Sequence, residues 1–245
     1  LPGTAFMEMV AYAGSRLGRA VEELVLEAPL TLHDTPVHLQ IVVGPEEAEE
    51  DGRRPVTVYS RDGGEWVRHA RGTLGDEPGL SAWDWPQDGE AVDVERLYDA
   101  LSVLGYTYGP AFQGVTAARR VGDTVYAEVE VPGEERFTLH PALLDAALHP
   151  MAFLTERAGL PFAFAGVALR PTGSRTLRVR LSATGPDTYT VAMADPDGTP
   201  VAMITSLTVR EATAIPDSMY ALDWVPLAAP SAGDPSLRRR PRDHH

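Results

Sequence analysis

Leu139-His140-Pro141-Ala142-Leu143-Leu144-Asp145-Ala146-Ala147-Leu148-His149 is the stretch on which the fold turns. Pro141 suits the first turn of a helix, where its missing N–H costs nothing. Leucines and alanines then leave almost no polar face, so the spacing predicts a buried helix over about 141–157. Pro150 falls inside that range and predicts a kink. Asp145 is out of place in such a helix. His149 follows four residues later and therefore projects from the same face. A carboxyl withdrawn from water can stay protonated and serve as an acid. The plainer alternative is a structural Asp–His pair, or a helix face turned to solvent. A metal site built on His140, Asp145 and His149 is not expected, because His140 precedes the helix and is out of phase with the other two.

Working outward, this helix sits among strand-like runs. Residues 4–17 predict an earlier helix, with Thr4 as its cap and Phe6, Met9, Val10, Ala13 and Leu17 at helical spacing. Runs at 21–32, 37–43, 55–60 and 66–74 read as strands, and Asp62-Gly63-Gly64 as a hairpin turn. Residues 75–92 are rich in Asp, Glu, Gly and Pro and carry Trp83 and Trp85, which suggests a linker tacked down by the two indoles. A helix over about 93–104, strands at 113–120 and 124–131, the buried helix, and further strands between 164 and 210 complete a second half. The connections are too short for helical crossovers, so the strands are expected to be antiparallel. The class is α+β, with a helix and strands repeated twice. The expected boundaries are an incomplete N-terminal lobe at 1–75, a linker at 76–92, a C-terminal lobe at 93–213 and a following segment at 214–245. Within that segment 218–227 reads as an isolated strand ahead of an Arg-rich tail.

Composition narrows the function. The net charge of -14 argues against nucleic acid and against anionic membrane surfaces, both of which select basic footprints. No apolar run approaches the roughly 18–20 residues that span a bilayer. With no Cys, thiolate chemistry, disulfides and Cys-held zinc are excluded. There is no signal peptide pattern, so a soluble cytoplasmic protein is the expectation. All 21 basic residues are Arg and Asn is absent, which fits GC-rich coding. The chain starts at Leu1-Pro2 without Met and enters a helix at once, so it reads as a piece of a longer polypeptide.

Three further features bear on chemistry. Tyr106–Gly114 (YTYGPAFQG) is a tight turn by composition. It also offers a Tyr hydroxyl and a Gln amide beside aromatic surface, as a pocket wall does. Leu160–Phe164 (LPFAF) fits either core packing or a pocket wall. His69, on a strand near Trp66, reads as a satisfied structural histidine.

Taken together, the motifs resemble those of the dehydratase domain of bacterial modular type I polyketide synthases. LPGTAF at Leu1–Phe6, YGPAFQG at Tyr108–Gly114, HPALLDAALH at His140–His149 and LPFAF at Leu160–Phe164 occur in the family's order and spacing. The resemblance covers about 1–213, and LDWVPL at Leu222–Leu227 looks like the start of a ketoreductase region. It implies a double hot-dog fold, two antiparallel sheets each wrapping a central helix. It also implies loss of water from a β-hydroxyacyl thioester on an acyl carrier protein, giving an α,β-enoyl thioester. No cofactor is implied beyond the carrier's phosphopantetheine arm.

The family pairs a His in H-x-x-x-G-x-x-x-x-P with an Asp in D-x-x-x-Q/H. Asp145 and His149 match the second pattern and Pro2 matches the end of the first. The His of the first pattern would stand nine positions before Pro2 and is not in this chain, so the chain by itself is expected to be inactive. The resemblance makes Asp145 the acid, with His149 holding Asp145 by a hydrogen bond or contacting the substrate hydroxyl, and Tyr108 helping to orient that hydroxyl. Pro2, Gly3, Gly109, Pro110, Phe112, Gln113, Pro161, Phe162 and Phe164 would bind substrate, Phe164 standing where the family usually has Trp. Expected partners are the carrier protein, other domains of the same synthase and a second copy of the chain, with Arg68, Arg71, Arg175 and Arg178 as candidates for a carrier-docking patch. Competing readings are a non-catalytic double hot-dog scaffold, an enoyl isomerase and a hot-dog thioesterase.

Overall fold

The computed structural model describes residues 1–32, 36–46, 52–103, 106–132, 137–155 and 159–211. The strand expected at 218–227, the tail after it and the end of the second predicted helix lie outside them. The first helix, α1, spans Gly3–Ser15. Strands β1 (Ala20–Leu26), β2 (His38–Val43), β3 (Arg54–Arg61) and β4 (Val67–Gly75) follow. A two-residue strand β5 (Glu90–Ala91), helix α2 (Leu97–Val103), β6 (Val115–Val121) and β7 (Thr124–Glu130) lead to α3 (Pro141–Ala146). The last four strands are β8 (Leu160–Leu169), β9 (Thr176–Gly185), β10 (Thr188–Ala194) and β11 (Pro200–Arg210).

All described strand pairs are antiparallel, in the order β2-β3-β4-β1-β8-β11-β10-β9-β7-β6-β5. Helix α1 packs on β1, β2, β3 and β8, and α3 packs on β7. Each half of the strand set therefore carries its own buried helix, which is the double hot-dog arrangement. The two halves run on into one another through β1 and β8, with Val21 opposite Val167 and Leu24 opposite Phe164. That join removes one exposed strand edge from each half. It also brings α1 and α3 into contact.

Several elements differ from the sequence expectation, each for a local reason. Helix α1 begins at Gly3, not after Thr4, because Pro2 occupies the capping position with extended backbone and leaves Thr4 inside the first turn. The strand predicted to reach residue 32 ends at Leu26, ahead of Ala28-Pro29. The helix expected over 141–157 stops at Ala146, and His149–Phe153 continues as 3-10 helix. Pro150 cannot donate to the helical ladder, so the chain tightens there instead of kinking and continuing. Strand β8 begins at Leu160, not 164, and so takes in the whole LPFAF stretch.

Between Gly75 and Glu90 no helix or strand forms. Trp83 and Trp85 hold this segment to the sheet by packing on Tyr126 of β7, at ring separations of 5.8 and 6.0 Å. Arg180 lies over Trp83 and Arg178 over Trp85, at 5.6 and 5.2 Å. Such cation–aromatic contacts add about 0.5–1 kcal/mol each near a surface.

Candidate active site

The site forms where α1 meets α3. Thr4 is fully buried in the first turn of α1, and its hydroxyl donates to Asp145 Oδ1 at 3.2 Å. One turn beyond Asp145, His149 Nε2 lies 3.3 Å from Oδ2. Both carboxylate oxygens are thus engaged, one by each half of the molecule. The Asp145 side chain is 13 % exposed and that of His149 4 %. His149 Nδ1 lies 3.3 Å from the hydroxyl of Tyr98 on α2, and the same hydroxyl accepts the backbone N–H of Val115 at 3.1 Å. Burial raises the Tyr98 phenol above its ordinary value. The Tyr108 ring packs on the imidazole at 4.2 Å, and burial, with the Asp145 charge adding to it, raises that phenol too. Both hydroxyls therefore keep their protons through neutral pH.

Asp145, His149 and Tyr108 line one partly open cavity of about 50 Å³, with Pro161 and Leu148 on its walls. Tyr106, Tyr189 and Thr155 add hydroxyls to it, and Tyr189 is hydrogen-bonded to Thr155. The Tyr106 hydroxyl is buried with no hydrogen-bond partner among the described residues. Two close approaches hold the framework. A Cβ on Gly3 would stand 2.5 Å from Leu26 Cδ1, so the start of α1 presses against β1 next to Pro161. A Cβ on Gly114 would meet Val131, Glu130 and Ala146 at 2.7–2.9 Å, so the entry to β6 lies directly on α3. That second contact carries Val115 N–H to Tyr98.

The structure spreads the other sequence candidates unevenly. Pro2 caps α1, with its carbonyl accepting from Ala5 N–H at 3.1 Å. Gly109 and Pro110 are exposed at a 3-10 turn, and Phe112 on that turn packs against the core. Gln113 is exposed and donates to the Tyr108 carbonyl at 2.9 Å, fixing the turn that presents Tyr108. Pro161 lines the cavity. The Phe162 ring lies under the Arg210 guanidinium at 3.2 Å, and Phe164 is fully buried between β1 and β11. Neither lines the cavity.

His140 caps α3, its Nδ1 accepting from Ala142 N–H at 3.2 Å, and burial lowers its pKa, which suits that acceptor role. No cluster of three or more His, Asp or Glu suited to a metal occurs among the described residues. None of their helices is long and apolar enough to cross a membrane. Arg68 and Arg71 share Glu27 at 2.5 and 2.8 Å, while Arg178 faces Glu128 at 3.9 Å. Four strands separate β4 from β9, so these arginines form two groups rather than one patch.

Comparison with known proteins places this geometry. Residues 78–219 match the family described as Polyketide synthase dehydratase N-terminal domain, and residues 1–61 match Polyketide synthase dehydratase domain. Polyketide synthase GfsE of Streptomyces halstedii is 42% identical over 96% of this chain. The spectinabilin polyketide synthase system protein NorA' of Streptomyces orinoci is 43% identical over 95%. The chain spans about 7% of the length of each. Among solved structures, a dehydratase from work on the borrelidin and fluvirucin polyketide synthases superposes with a TM-score of 0.81 at 41% identity, covering 86% of this chain and 79% of that one. The erythromycin dehydratase gives 0.80 at 34% identity, covering 86% and 81%. The chain belongs to the polyketide synthase dehydratase family.

Proposed function

We propose that the domain removes water from a β-hydroxyacyl thioester held on the phosphopantetheine arm of an acyl carrier protein. A base takes the proton from the carbon beside the thioester carbonyl. The C–O bond at the β carbon breaks, the double bond forms, and the hydroxyl leaves as water with a proton from Asp145. The observation that carries this reading is the Asp145 carboxyl, fixed through both oxygens and lining the same cavity as Tyr108 and His149. In this reading Tyr108, kept protonated by burial, hydrogen-bonds the departing hydroxyl. The first turn of α1, at Pro2 and Gly3, lies toward the thioester. Proton transfer alone needs no cofactor. A carrier protein, neighbouring synthase domains and a second copy of the chain are the partners proposed.

The base is the missing component among the described residues. Both nitrogens of His149 are engaged, by Asp145 and by Tyr98. His140 is committed to a helix cap, His69 to Ser60 and Ala28, and His38 lies exposed at the start of β2 and does not line the cavity. The family pattern supplies the base from a His nine positions before Pro2. The 245-residue polypeptide assayed alone is therefore expected to be inactive, losing at least the roughly 10²–10⁴-fold that general acid–base catalysis contributes. The test compares that polypeptide with one extended to carry the His, using a β-hydroxyacyl thioester and mass analysis of the acyl chain. Equal turnover by the two would overturn the assignment of the base. In the extended form Asp145→Asn is expected to lower turnover by about 10²–10⁴-fold with the fold retained, and full activity would remove Asp145 as the acid.

A further inference from the structure

Tyr98 belongs to none of the motifs that mark the site. It sits half-buried on α2, 51 residues from His149 in sequence, and does not line the cavity. A phenol has one proton to donate. Its oxygen already accepts the Val115 N–H, and the acceptor that its O–H meets among the described residues is His149 Nδ1. If Nδ1 carried the ring proton, the O–H of half-buried Tyr98 would lose the one protein acceptor it meets among the described residues, at the cost of a hydrogen bond. The bond therefore runs from Tyr98 O–H to Nδ1. A neutral ring then has its proton on Nε2, and Nε2–H donates to Asp145 Oδ2.

The edge-on contact of the two rings, at 88° and 5.6 Å, holds the imidazole in the same orientation. The Val115 N–H that anchors Tyr98 comes from the strand entry seated on α3 at Gly114. The chain of donors is thus directed one way, from the backbone of β6 through Tyr98 and His149 to the carboxyl of Asp145.

We infer that Tyr98 is a positioning residue, which clamps His149 through Nδ1 and so keeps the Nε2–H end of the ring on Asp145. The consequence for catalysis rests on the proposed role of Asp145 as the acid. The clamp itself does not, and it can be read in the 245-residue chain without turnover.

The measurement is ¹⁵N NMR of the histidine side chains at a pH where the rings are neutral. His149 is expected to show a protonated Nε2 and a bare Nδ1 displaced by a hydrogen bond. His69 supplies the opposite pattern for reference, because its Nδ1 faces the Ala28 carbonyl at 3.0 Å and must be the protonated nitrogen. In Tyr98→Phe the Nδ1 resonance of His149 should move to the position of a nitrogen without a hydrogen bond, while that of His69 stays in place. A protonated Nδ1 on His149 in the wild-type chain would overturn the inference, whether or not the variant folds. An unchanged Nδ1 resonance in folded Tyr98→Phe would overturn it as well. In the extended polypeptide the same variant should lower kcat roughly twofold to tenfold, the range for losing one neutral hydrogen bond, with little change in KM. A rise in KM with kcat unchanged would show that Tyr98 serves substrate binding and not the clamp. An inactive wild-type extension with the expected NMR pattern would count against the dehydratase reading and leave the clamp standing.

Discussion

His69 and His149 are both buried imidazoles, 3% and 6% exposed, and both have their two ring nitrogens occupied. They belong to opposite halves of the strand set, and one is structural while the other lines the candidate site. His69 joins the Ser60 hydroxyl at 2.6 Å to the Ala28 carbonyl at 3.0 Å and stacks on Phe6 of α1. It closes off two polar groups and does not line the cavity of the candidate site. His149 joins a tyrosine hydroxyl to a carboxylate and forms part of a cavity wall. Burial and hydrogen-bond satisfaction are therefore common to core and site. The distinction lies in the partner, because a carbonyl fixes a proton in place while a carboxyl can give one up, and in the adjoining space where a substrate could sit.

The largest effect expected from breaking this contrast is on stability. His69→Ala leaves a Ser hydroxyl and a backbone carbonyl buried without their partner and opens a void beside Phe6. The combined cost is about 2–4 kcal/mol, read as a lower Tm or denaturation midpoint. The His149 resonances of the protein that remains folded should not move. If they did, the two halves would be coupled more tightly than their separate hydrogen-bond sets imply.

Next comes the contact that joins the halves. Thr4→Val keeps the shape of the side chain and removes the hydroxyl that donates to Asp145. A hydrogen bond to a carboxylate is worth about 1.5–3 kcal/mol. The variant should therefore lower turnover of the extended polypeptide by roughly tenfold to a hundredfold, and Thr4→Ser should restore most of it. Unaltered kinetics in Thr4→Val would mean that α3 alone positions the acid.

The two residues of α3 and its continuation were legible in the sequence because they are neighbours in it. Asp145 and His149 stand four apart in an apolar run, and that spacing alone announces a shared face. The strands were legible by the same local logic of alternating apolar residues and turn signals. Thr4 and Tyr98 were not, since they reach the site across 141 and 51 residues, and such contacts depend on how the halves dock. Thr4 even carried a misleading signal. A Thr before a helical run reads as a cap, but Pro2 takes that place and turns the Thr hydroxyl to Asp145. Phe164 misled in the other direction, because an aromatic in LPFAF looks like pocket wall until the register with Leu24 and Leu207 places it in the core. The extent expected for the helix over 141–157 is too long because apolar composition continues past Ala146, while the backbone donor that a helix needs is missing at Pro150.

The smallest effect falls on Glu8, one turn beyond Thr4 on α1. Its side chain is buried and accepts the Thr138 N–H at 3.2 Å. Burial raises its pKa more than that hydrogen bond lowers it. The native state therefore binds its proton more tightly than the unfolded chain does. The stability this contributes is complete below the unfolded value of about 4.3 and is lost as pH rises through the folded value. Glu8→Gln keeps an oxygen for Thr138 N–H but carries no charge to desolvate. The variant and the wild type should have similar stability near pH 4, and the variant should gain on the wild type as pH rises toward 7. Denaturation midpoints across that range check the sign. A variant that loses ground with rising pH would mean that ionised Glu8 is stabilised in the fold, and that α1 carries a charge which helps the site instead of one the core merely tolerates.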